Sequence, residues 1–495
     1  MVNLSHRLPK SKQLADSIVD DKTDISVVSG TYKNCDNVFV IGYNEFDGIK
    51  RTKSSSDIEN STKEITDDLI SYKSSSGMYE EAWWQITVQV GIPFLIAGMG
   101  TIVSGVILGR VEHWDVFKLI PELFILISPL AGLKGNLDMT LSSRLSTQAN
   151  LGNMLNFKNI FDMVIGNVAL VQVQATVTAF VISIFALLVG LLQSGEFQID
   201  HALLLTTSAV FTATTSCFFM NFVLAAMIVI SNRYNVNPDN LATPIAASIG
   251  DLLTVILLSF STFILHQYLS SHLWVTYIML ACFFLLIPLW TILILKNRFV
   301  RPVLKSGWLP ILLAALISGL GGIVLKSAVE QFTGYVVFKP IMNGIGGNLV
   351  SVQASRISTM LHQTTQPGIM PTGQKIFELP WKALIYGTPY SKAARIFLIM
   401  SIPGQVLFIF IADFLHMSKS TIGAPFVFSY IIAALVLLIL LLYIAHVLIH
   451  AMWKFKIDPD NSAIPYLTAL GDLFGSCLLL AAFTFLRAIG HEYDP

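Results

Sequence analysis

The sequence predicts an all-α integral membrane protein with eleven transmembrane helices, and two observations support this prediction. Hydrophobic residues make up 54% of the 495 residues and charged residues only 13%, which is too few charges for an ordinary soluble surface. Apolar runs long enough for a helix to cross the hydrocarbon core recur from Trp83 to Ile489. The formal net charge of zero argues against a nucleic-acid partner, so membrane lipid is the expected surrounding.

Residues 1–80 differ in composition from the rest of the chain. They contain the serine runs 54–56 and 74–76 and few apolar stretches. Such a segment buries too little apolar surface to offset the entropy lost on ordering. We therefore expect a disordered cytoplasmic tail, with a regulatory or partner-binding tail as the alternative.

Eleven apolar segments follow the tail, and each is predicted to form a membrane-spanning helix. The second and eighth segments carry glycine and proline in mid-span, as broken or cavity-lining helices do. In chain order, the segments lie at residues 83–109, 116–146, 162–193, 202–231, 243–268, 273–295, 307–330, 335–361, 393–416, 424–452 and 464–489.

Two sequence blocks occur twice, which predicts an internal repeat. One block is a Pro-Asp-Asn turn followed by Gly-Asp, at residues 238–251 and again at 459–472. The other is Gly-Asn-Leu followed by Ser-Arg, at residues 135–144 and again at 347–356. Segments one to five thus match segments seven to eleven. A single linking helix between them gives both repeats the same orientation, so we predict two parallel five-helix repeats at 81–270 and 303–490, joined through 271–302.

Positive charge predicts the orientation in the membrane. With the N-terminus in the cytoplasm, fourteen lysines and arginines fall at inner ends and loops and only six at outer ones. We therefore expect a cytoplasmic N-terminus and an extracellular C-terminus, with the plasma membrane as the location. The six outer residues are Arg110, Lys118, Lys326, Lys339, Lys419 and Arg487.

Asp251 and Asp472 are the strongest candidates for a functional site. A charge near the centre of a membrane helix costs roughly 2.5 to 3.5 kcal/mol or more, so it is rarely kept without a function. The two aspartates lie about eight to ten residues into their helices, and Asn136 and Asn348 fall at a similar depth, near the midplane. Carboxylate and amide oxygens suit a hard divalent cation such as Mg²⁺. These four residues form the predicted metal site.

Each of these residues also has a structural interpretation. An aspartate or asparagine inside a membrane helix can bridge to a neighbouring helix by hydrogen bonding. For the aspartates, duplication at matching depth favours function over this alternative.

Further residues are candidates for the ion pathway or its gating. Gly135 and Gly347 allow close approach of the backbone. Lys134 and Asp138 lack counterparts in the second repeat, so they either pair one turn apart as a structural element or take part in gating. For Arg144 and Arg356, anchoring the helix or binding lipid headgroups is favoured over meeting the ion. The candidates are Lys134, Asp138, Gly135, Gly347, Asn343, Arg144 and Arg356.

Several strings resemble the solute carrier family 41 magnesium transporters, eukaryotic relatives of the bacterial MgtE type. They are residues 132–137, 343–349 and 353–359, together with the two Pro-Asp-Asn…Gly-Asp segments. The resemblance covers about residues 80–490. It implies two fused MgtE-like domains that form a pseudo-dimer within one monomer, with the pore on the pseudo-twofold axis. It also implies that Asp251 and Asp472 take the role of the fifth-helix aspartates at the magnesium site of the bacterial pore.

The resemblance implies Mg²⁺ transport, and the family is described as exchanging magnesium for sodium. We therefore expect Na⁺-coupled Mg²⁺ efflux and no cofactor beyond these ions. Channel-like permeation of Mg²⁺ or other divalent cations without sodium is the alternative. Lys134 stands where the second repeat has Gly346, and a fixed positive charge there suits a carrier better than a fast channel. The tail does not resemble the cytosolic sensing domains of bacterial relatives, so gating by such domains is not expected.

Two other classes are weaker alternatives. The Gly-Asp pairs are similar to part of the Gly-x-Gly-Asp motif of intramembrane aspartyl proteases. Ser248 and Ala469 replace the first glycine of that motif, and no Tyr-Asp partner is found, so we expect no enzyme. A scaffold or receptor would not need paired carboxylates at the midplane.

Overall fold

The computed structural model describes residues 83–150, 157–195, 198–233, 238–269, 273–301, 303–371, 373–417 and 422–493. Within these ranges the regular structure is entirely helical, and no strand occurs in them. The predicted N-terminal tail lies outside the described residues.

Eleven helices of 22 or more residues make up most of the described chain, and each overlaps one of the predicted apolar segments. Three short helices, Asp115–Leu119, Val303–Ser306 and Pro380–Leu384, lie between them. The long helices are α1 (Trp83–Val111), α2 (Glu122–Asn150), α3 (Phe157–Ser194), α4 (Ile199–Arg233), α5 (Pro238–Leu269), α6 (Leu273–Lys296), α7 (Trp308–Val329), α8 (Tyr335–Thr364), α9 (Ser391–Met417), α10 (Ala424–Lys454) and α11 (Pro459–Ala488).

Among the described residues, nine of these helices are long and apolar enough to cross a membrane. They are α1, α3 to α7 and α9 to α11. α2 and α8 fall outside this set, and both carry the polar Gly-Asn block in mid-helix. An all-helical chain with this many apolar spans is a multi-pass membrane protein.

α2 and α8 are continuous helices, so the prediction that they are broken is wrong. α2 continues through Pro129 and α8 through Pro340. A proline in a helix removes one backbone hydrogen bond but does not by itself end the helix when neighbouring helices pack around it. The glycines of both blocks therefore lie within regular helix, and a cavity-lining role is the alternative that remains for these two helices.

α5 and α11 begin at the prolines of the duplicated motif, Pro238 and Pro459, and not after it. Proline is favoured in the first turn, where its missing N–H costs nothing. Asp251 and Asp472 are each the fourteenth residue of their helix, of 32 and 30 residues respectively, so both lie close to the middle. Both aspartates therefore lie further into their helices than the eight to ten residues predicted. The side chains of residues 231–248, with the first Pro-Asp-Asn motif, lie outside the described part.

The first five and the last five helices pack into one another, because the first helix of each set also contacts helices of the other set. α1 packs against α5 of its own set, and also against α8 and α9 of the other set. α7 does the reverse, because it packs against α11 and also against α2 and α3. Part of the surface of α8 and α9 is therefore covered by α1, and part of the surface of α2 and α3 is covered by α7.

Glycines bring these helices into backbone contact. A methyl group added at Gly105 in α1 would lie 2.2 Å from the Val337 carbonyl oxygen in α8. At Gly322 in α7, it would lie 2.3 Å from the Ile125 carbonyl oxygen in α2. Small residues at such crossings let membrane helices approach closely enough for extensive van der Waals contact. The two crossings use equivalent residues, since Ile125 and Val337 each precede the Gly-Asn block by the same number of residues.

α6 lies at the periphery of the described bundle. It packs against α3 and α4, and the rest of its surface exposes apolar side chains such as Tyr277, Leu285 and Leu289. Such a surface suits contact with lipid.

The connection between α8 and α9 is long and packs against α10. Tyr390 shares a hydrogen bond of 2.6 Å with His446 in α10. Trp453 of α10 donates a hydrogen bond of 3.0 Å from its indole nitrogen to the Ile369 carbonyl. The connection between α2 and α3 spans only residues 151–156, so the two sets of five helices differ on this side.

We predict that Gly105→Ala and Gly322→Ala destabilise the protein, because each new methyl group overlaps a backbone carbonyl that cannot move independently of its helix. The expected loss is on the order of 1–3 kcal/mol, as for overpacked interiors. Thermal unfolding of the detergent-solubilised protein measures it.

Gly91→Ala is the matched control in α1, because its methyl group would meet only the Met400 sulfur at 3.6 Å. Equal unfolding temperatures for Gly105→Ala, Gly322→Ala and Gly91→Ala would contradict the proposed importance of the two crossings.

Candidate functional site

Five charged side chains meet in the interior of the bundle, where α2, α5, α8 and α11 come together. Lys134 pairs with Asp138, and its ammonium lies against Gly250, the residue before Asp251. Lys339 contacts Ser128, one turn before Gly132, which borders Asp472. We call the five charged residues the central cluster: Lys134, Asp138, Asp251, Lys339 and Asp472. They come from both the first and the last five helices, so the cluster lies between the two sets.

Asp472 of α11 is held by partners from two other helices. The Ser318 hydroxyl of α7 donates a hydrogen bond to Asp472 Oδ2. The Asn343 amide of α8 donates to Asp472 Oδ1 at 3.2 Å, and to the Asp472 carbonyl at 3.3 Å. A methyl group at Gly132 of α2 would lie 3.0 Å from Asp472 Oδ2, so α2 also approaches the carboxylate. Asp472 thus lies at the junction of four helices.

Asp251 of α5 has a different neighbour, the ammonium group of Lys134. A methyl group added at Gly250 would lie only 1.9 Å from Lys134 Nζ, so the ammonium lies directly against the α5 backbone beside Asp251. Gly250 leaves the space that the ammonium fills. The two aspartates occupy equivalent helix positions but meet different groups.

Lys134 also forms a buried ion pair with Asp138, one turn further along α2. Lys134 Nζ lies 2.6 Å from Asp138 Oδ2, and the side chains are 1% and 0% exposed. The second carboxylate oxygen, Oδ1, is buried without a hydrogen-bond partner in the described part of the chain. The geometry shows the pairing that one sequence alternative predicted, and it also places the pair in the central cluster.

The asparagines of the predicted metal site are in unequal surroundings. Asn136 accepts a hydrogen bond of 2.8 Å through Oδ1 from the Thr468 hydroxyl of α11, one turn before Asp472. Asn348 of α8 is half-buried. The residue four positions before Asp251 is Ala247, which has no hydroxyl group, so the α2–α11 contact has no equivalent there.

Gly135 and Gly347 border open space. A methyl group at Gly135 would meet no atom within 4 Å in the described chain, and one at Gly347 would meet only the Thr468 methyl group at 4.0 Å. The glycine of each Gly-Asn block therefore lies next to a space that would remain open even if the glycine carried a Cβ atom.

Arg144 and Arg356 lie further along α2 and α8. The Arg144 guanidinium donates a hydrogen bond of 3.0 Å through Nε to Asn167 Oδ1 in α3. Arg356 is half-buried, eight residues beyond Asn348. The Arg144 contact joins two helices of one set, as a structural anchor does.

Sequence reasoning missed four of the residues in this region: Ser128, Ser318, Lys339 and Thr468. It placed Lys339 among charges at the outer ends of helices, yet Lys339 is buried and its ammonium group donates a hydrogen bond to the Ser128 hydroxyl of α2. Lys326, placed in the same group, is also buried, where it pairs with Glu122 at 3.1 Å. A lysine four residues from Asn343 in an apolar helix was a signal for Lys339, but the hydroxyl residues gave none.

The central cluster offers a small number of oxygen ligands to a cation. Carboxylate, amide and hydroxyl oxygens surround the position of Asp472, and such ligands suit hard divalent ions. Within the described residues, no group of three or more His, Cys, Asp or Glu side chains is placed to hold a metal ion. A cation here would therefore have few direct protein ligands and would keep part of its hydration shell.

The fold and the central cluster define a class, a polytopic membrane protein with charged residues gathered in its interior, as in ion transporters. Comparison with known families agrees. The sequence model of the MgtE family, described as a divalent cation transporter, matches residues 127–261 and 339–482. Comparison with solved structures gave no significant match.

Curated relatives cover most of the chain. The mouse solute carrier family 41 member 2 is 39% identical over 451 residues, which make up 91% of this chain and 79% of the mouse protein. The human member 2 is 40% identical over 439 residues, 88% of this chain and 75% of the human protein. The rat member 3 is 37% identical over 414 residues, 83% and 89% of the two chains. The chain therefore belongs to solute carrier family 41 and to the MgtE family of divalent cation transporters.

We predict that Lys134→Met alone strongly destabilises the protein, because it leaves the Asp138 carboxylate buried without its partner. Breaking a buried ion pair from one side costs about 3–5 kcal/mol, whereas replacing both partners by apolar residues is often neutral. The double variant Lys134→Met/Asp138→Leu should therefore recover most of the unfolding temperature.

Lys382→Met is the matched control, because Lys382 makes the same one-turn pair with Glu378 at 3.1 Å but is 43% exposed. An exposed pair contributes only about 0–1 kcal/mol. If Lys134→Met lowered the unfolding temperature no more than Lys382→Met, the pair would not be structurally important.

Proposed function

We propose that this protein transports Mg²⁺ across the membrane through a pathway between its first and last five helices, with Asp251 and Asp472 on that pathway. The single observation that supports this most is the convergence of the two mid-helix aspartates in one cluster between the two sets. Asn136 and Asn348 complete the proposed metal site, and Gly135, Gly347 and Asn343 line its approaches.

The proposed pathway requires two pseudo-symmetric repeats, at 81–270 and 303–490, with α6 as the link within 271–302. The reciprocal packing of α1 and α7 supports this, because each leading helix makes the same contacts with the opposite set. The two crossings at Gly105 and Gly322 support it as well. The family match also falls in two stretches, one in each repeat, and each stretch contains one Gly-Asn block and one Gly-Asp pair. The monomer then acts as a pseudo-dimer.

We further propose that all eleven long helices cross the membrane. α2 and α8 would do so despite their polar centres, because those centres face the space between the repeats rather than lipid. An odd number of crossings puts the two termini on opposite sides. The charge bias of the sequence supports a cytoplasmic N-terminus, and the plasma membrane is the proposed location.

Mg²⁺ is the proposed substrate because the site provides hard oxygen ligands in small number. Mg²⁺ exchanges its water slowly and is usually bound through one or two carboxylates with several waters retained. A site of this kind binds an ion loosely enough for release, which transport requires.

Na⁺-coupled efflux is the proposed mode, and two buried lysines support it over channel-like permeation. Lys134 places its ammonium group against Gly250 and Asp138, and Lys339 places its ammonium group against Ser128, one turn from Asp472. Fixed positive charges at these positions oppose continuous cation flow. A carrier that changes conformation in each cycle tolerates such charges better than an open pore. Channel-like permeation of Mg²⁺ or other divalent cations remains the second candidate, favoured by the open space at Gly135 and Gly347.

We predict that Asp251→Asn and Asp472→Asn each reduce Mg²⁺ flux roughly tenfold or more in proteoliposomes. A unit charge a few Å from a divalent ion in a partly buried site contributes several kcal/mol, and each 1.4 kcal/mol changes binding tenfold. Asp162→Asn, at an exposed position of α3, is the control and should keep wild-type flux. Unchanged flux in both cluster variants would remove these aspartates from the pathway.

The same proteoliposomes separate the two modes of transport. For a coupled exchanger, we expect Mg²⁺ to move against its own gradient when an opposing sodium gradient is applied, and to reverse with it. Flux that follows only the Mg²⁺ gradient, with or without sodium, would instead support channel-like permeation.

A further inference from the structure

Lys339 bridges the second helix of each repeat. It is 4% exposed, it lies in the second turn of α8, and its ammonium group donates to the Ser128 hydroxyl in α2. The symmetry-related contact does not exist, because Lys339 corresponds to Ile127 in the first repeat and Ser128 corresponds to Pro340 in the second. The contact is therefore a feature of this fused chain and not of the repeat.

The contact lies next to the aspartate site, on the side of the N-terminal ends of α2 and α8. Lys339 precedes Asn343, which contacts Asp472, by four residues. Ser128 likewise precedes Gly132, which borders Asp472, by four residues. Four residues correspond to about 6 Å along a helix. The Lys339–Ser128 bridge thus lies one turn beyond Asp472 on both helices.

The opposite side of Asp472 is different. Asn136 and Thr468, one turn away in that direction, present a neutral hydrogen bond between α2 and α11. A cation leaving Asp472 therefore meets the Lys339 ammonium on one side. On the other side it meets the Asn136–Thr468 hydrogen bond and the Lys134 ammonium, which is paired with Asp138. Lys339 lies one turn before Asn343, which contacts Asp472, and its hydrogen bond to Ser128 holds the ammonium group on this side of the aspartate site.

We propose that Lys339 is a tethered cation that closes the aspartate site on the side of Ser128 and competes with the transported ion for Asp251 and Asp472. This inference rests on the proposed function, because it takes the two aspartates as the ion site. Without the ion, the ammonium balances the carboxylates, and with the ion, like-charge repulsion weakens its hold. Lys339 is thus a specificity-determining and gating residue.

The test is a Mg²⁺ titration of thermal stability on the purified full-length protein, together with Mg²⁺ leak from proteoliposomes in the absence of sodium. Lys339→Met should lower the Mg²⁺ concentration for half-maximal stabilisation about tenfold or more, since removing one repulsive charge a few Å from the ion is worth at least about 1.4 kcal/mol. The leak should rise by a similar factor. Lys339→Arg keeps the charge and should behave as the wild type in both assays.

Lys326→Met is the matched control, because Lys326 is also a buried lysine but pairs with Glu122 and Gln193. It should leave the Mg²⁺ midpoint and the leak unchanged. Lys339→Gln, which keeps a donor toward Ser128 without the charge, is the second neutral variant if Lys339→Met folds poorly. The proposal is overturned if the neutral variants match Lys326→Met, or if they need more Mg²⁺ than the wild type.

Asp472→Asn, measured in parallel, separates the two proposals. If Asp472→Asn loses the stabilisation by Mg²⁺ while Lys339→Met equals the wild type, only the tethered cation is excluded. If Asp472→Asn is stabilised by Mg²⁺ as the wild type is, the ion site itself is wrongly placed.

Discussion

The cost of holding charge in an apolar bundle is the constraint on which this structure depends. Five ionisable side chains lie together in its interior, and each one alone would be expensive to remove from water. They are tolerated because they lie beside one another, and because the ammonium of Lys134 and the carboxylate of Asp472 find partners in the same region. The hydrogen bonds from Lys339 to Ser128 and from Thr468 to Asn136 join helices of the two sets, so formation of the cluster and association of the two sets depend on each other.

The two sets of five helices are similar in how their backbones cross, but they differ in the charged residues that they carry. Gly105 and Gly322 make the same helix crossing in the two sets. The charged partners differ, since Lys134 and Asp138 in α2 correspond to Gly346 and Val350 in α8. In an assembly of two identical subunits, both halves would have to carry the same charges. A single chain allows each half to change separately, and Asp251 and Asp472 accordingly lie beside different groups.

The sequence was sufficient for the features that depend on local pattern. Apolar run length located the long helices, and the duplicated Gly-Asp pair singled out Asp251 and Asp472 as candidates, because both signals are contained in neighbouring residues. The partners Ser318 and Thr468 could not be predicted, since they come within reach only after the chain has folded over 154 and 332 positions. Lys339 was assigned to an outer helix end because charge counting does not distinguish a lysine that faces water from one that faces the bundle interior.

The balance of charge in the central cluster bears on the type of transport. In their charged forms, three carboxylates and two ammonium groups leave one net negative charge, which a divalent ion overcompensates unless an ammonium group moves away. As the proposed Mg²⁺ site, this cluster would bind the ion reversibly, with ammonium groups interrupting the row of carboxylates. In the proposed function, ion binding would displace the Lys339 side chain, which bridges α2 and α8, one helix from each set of five. Binding of the ion would then be linked to relative movement of the two sets of helices, which is the coupling that the proposed carrier needs for alternating access.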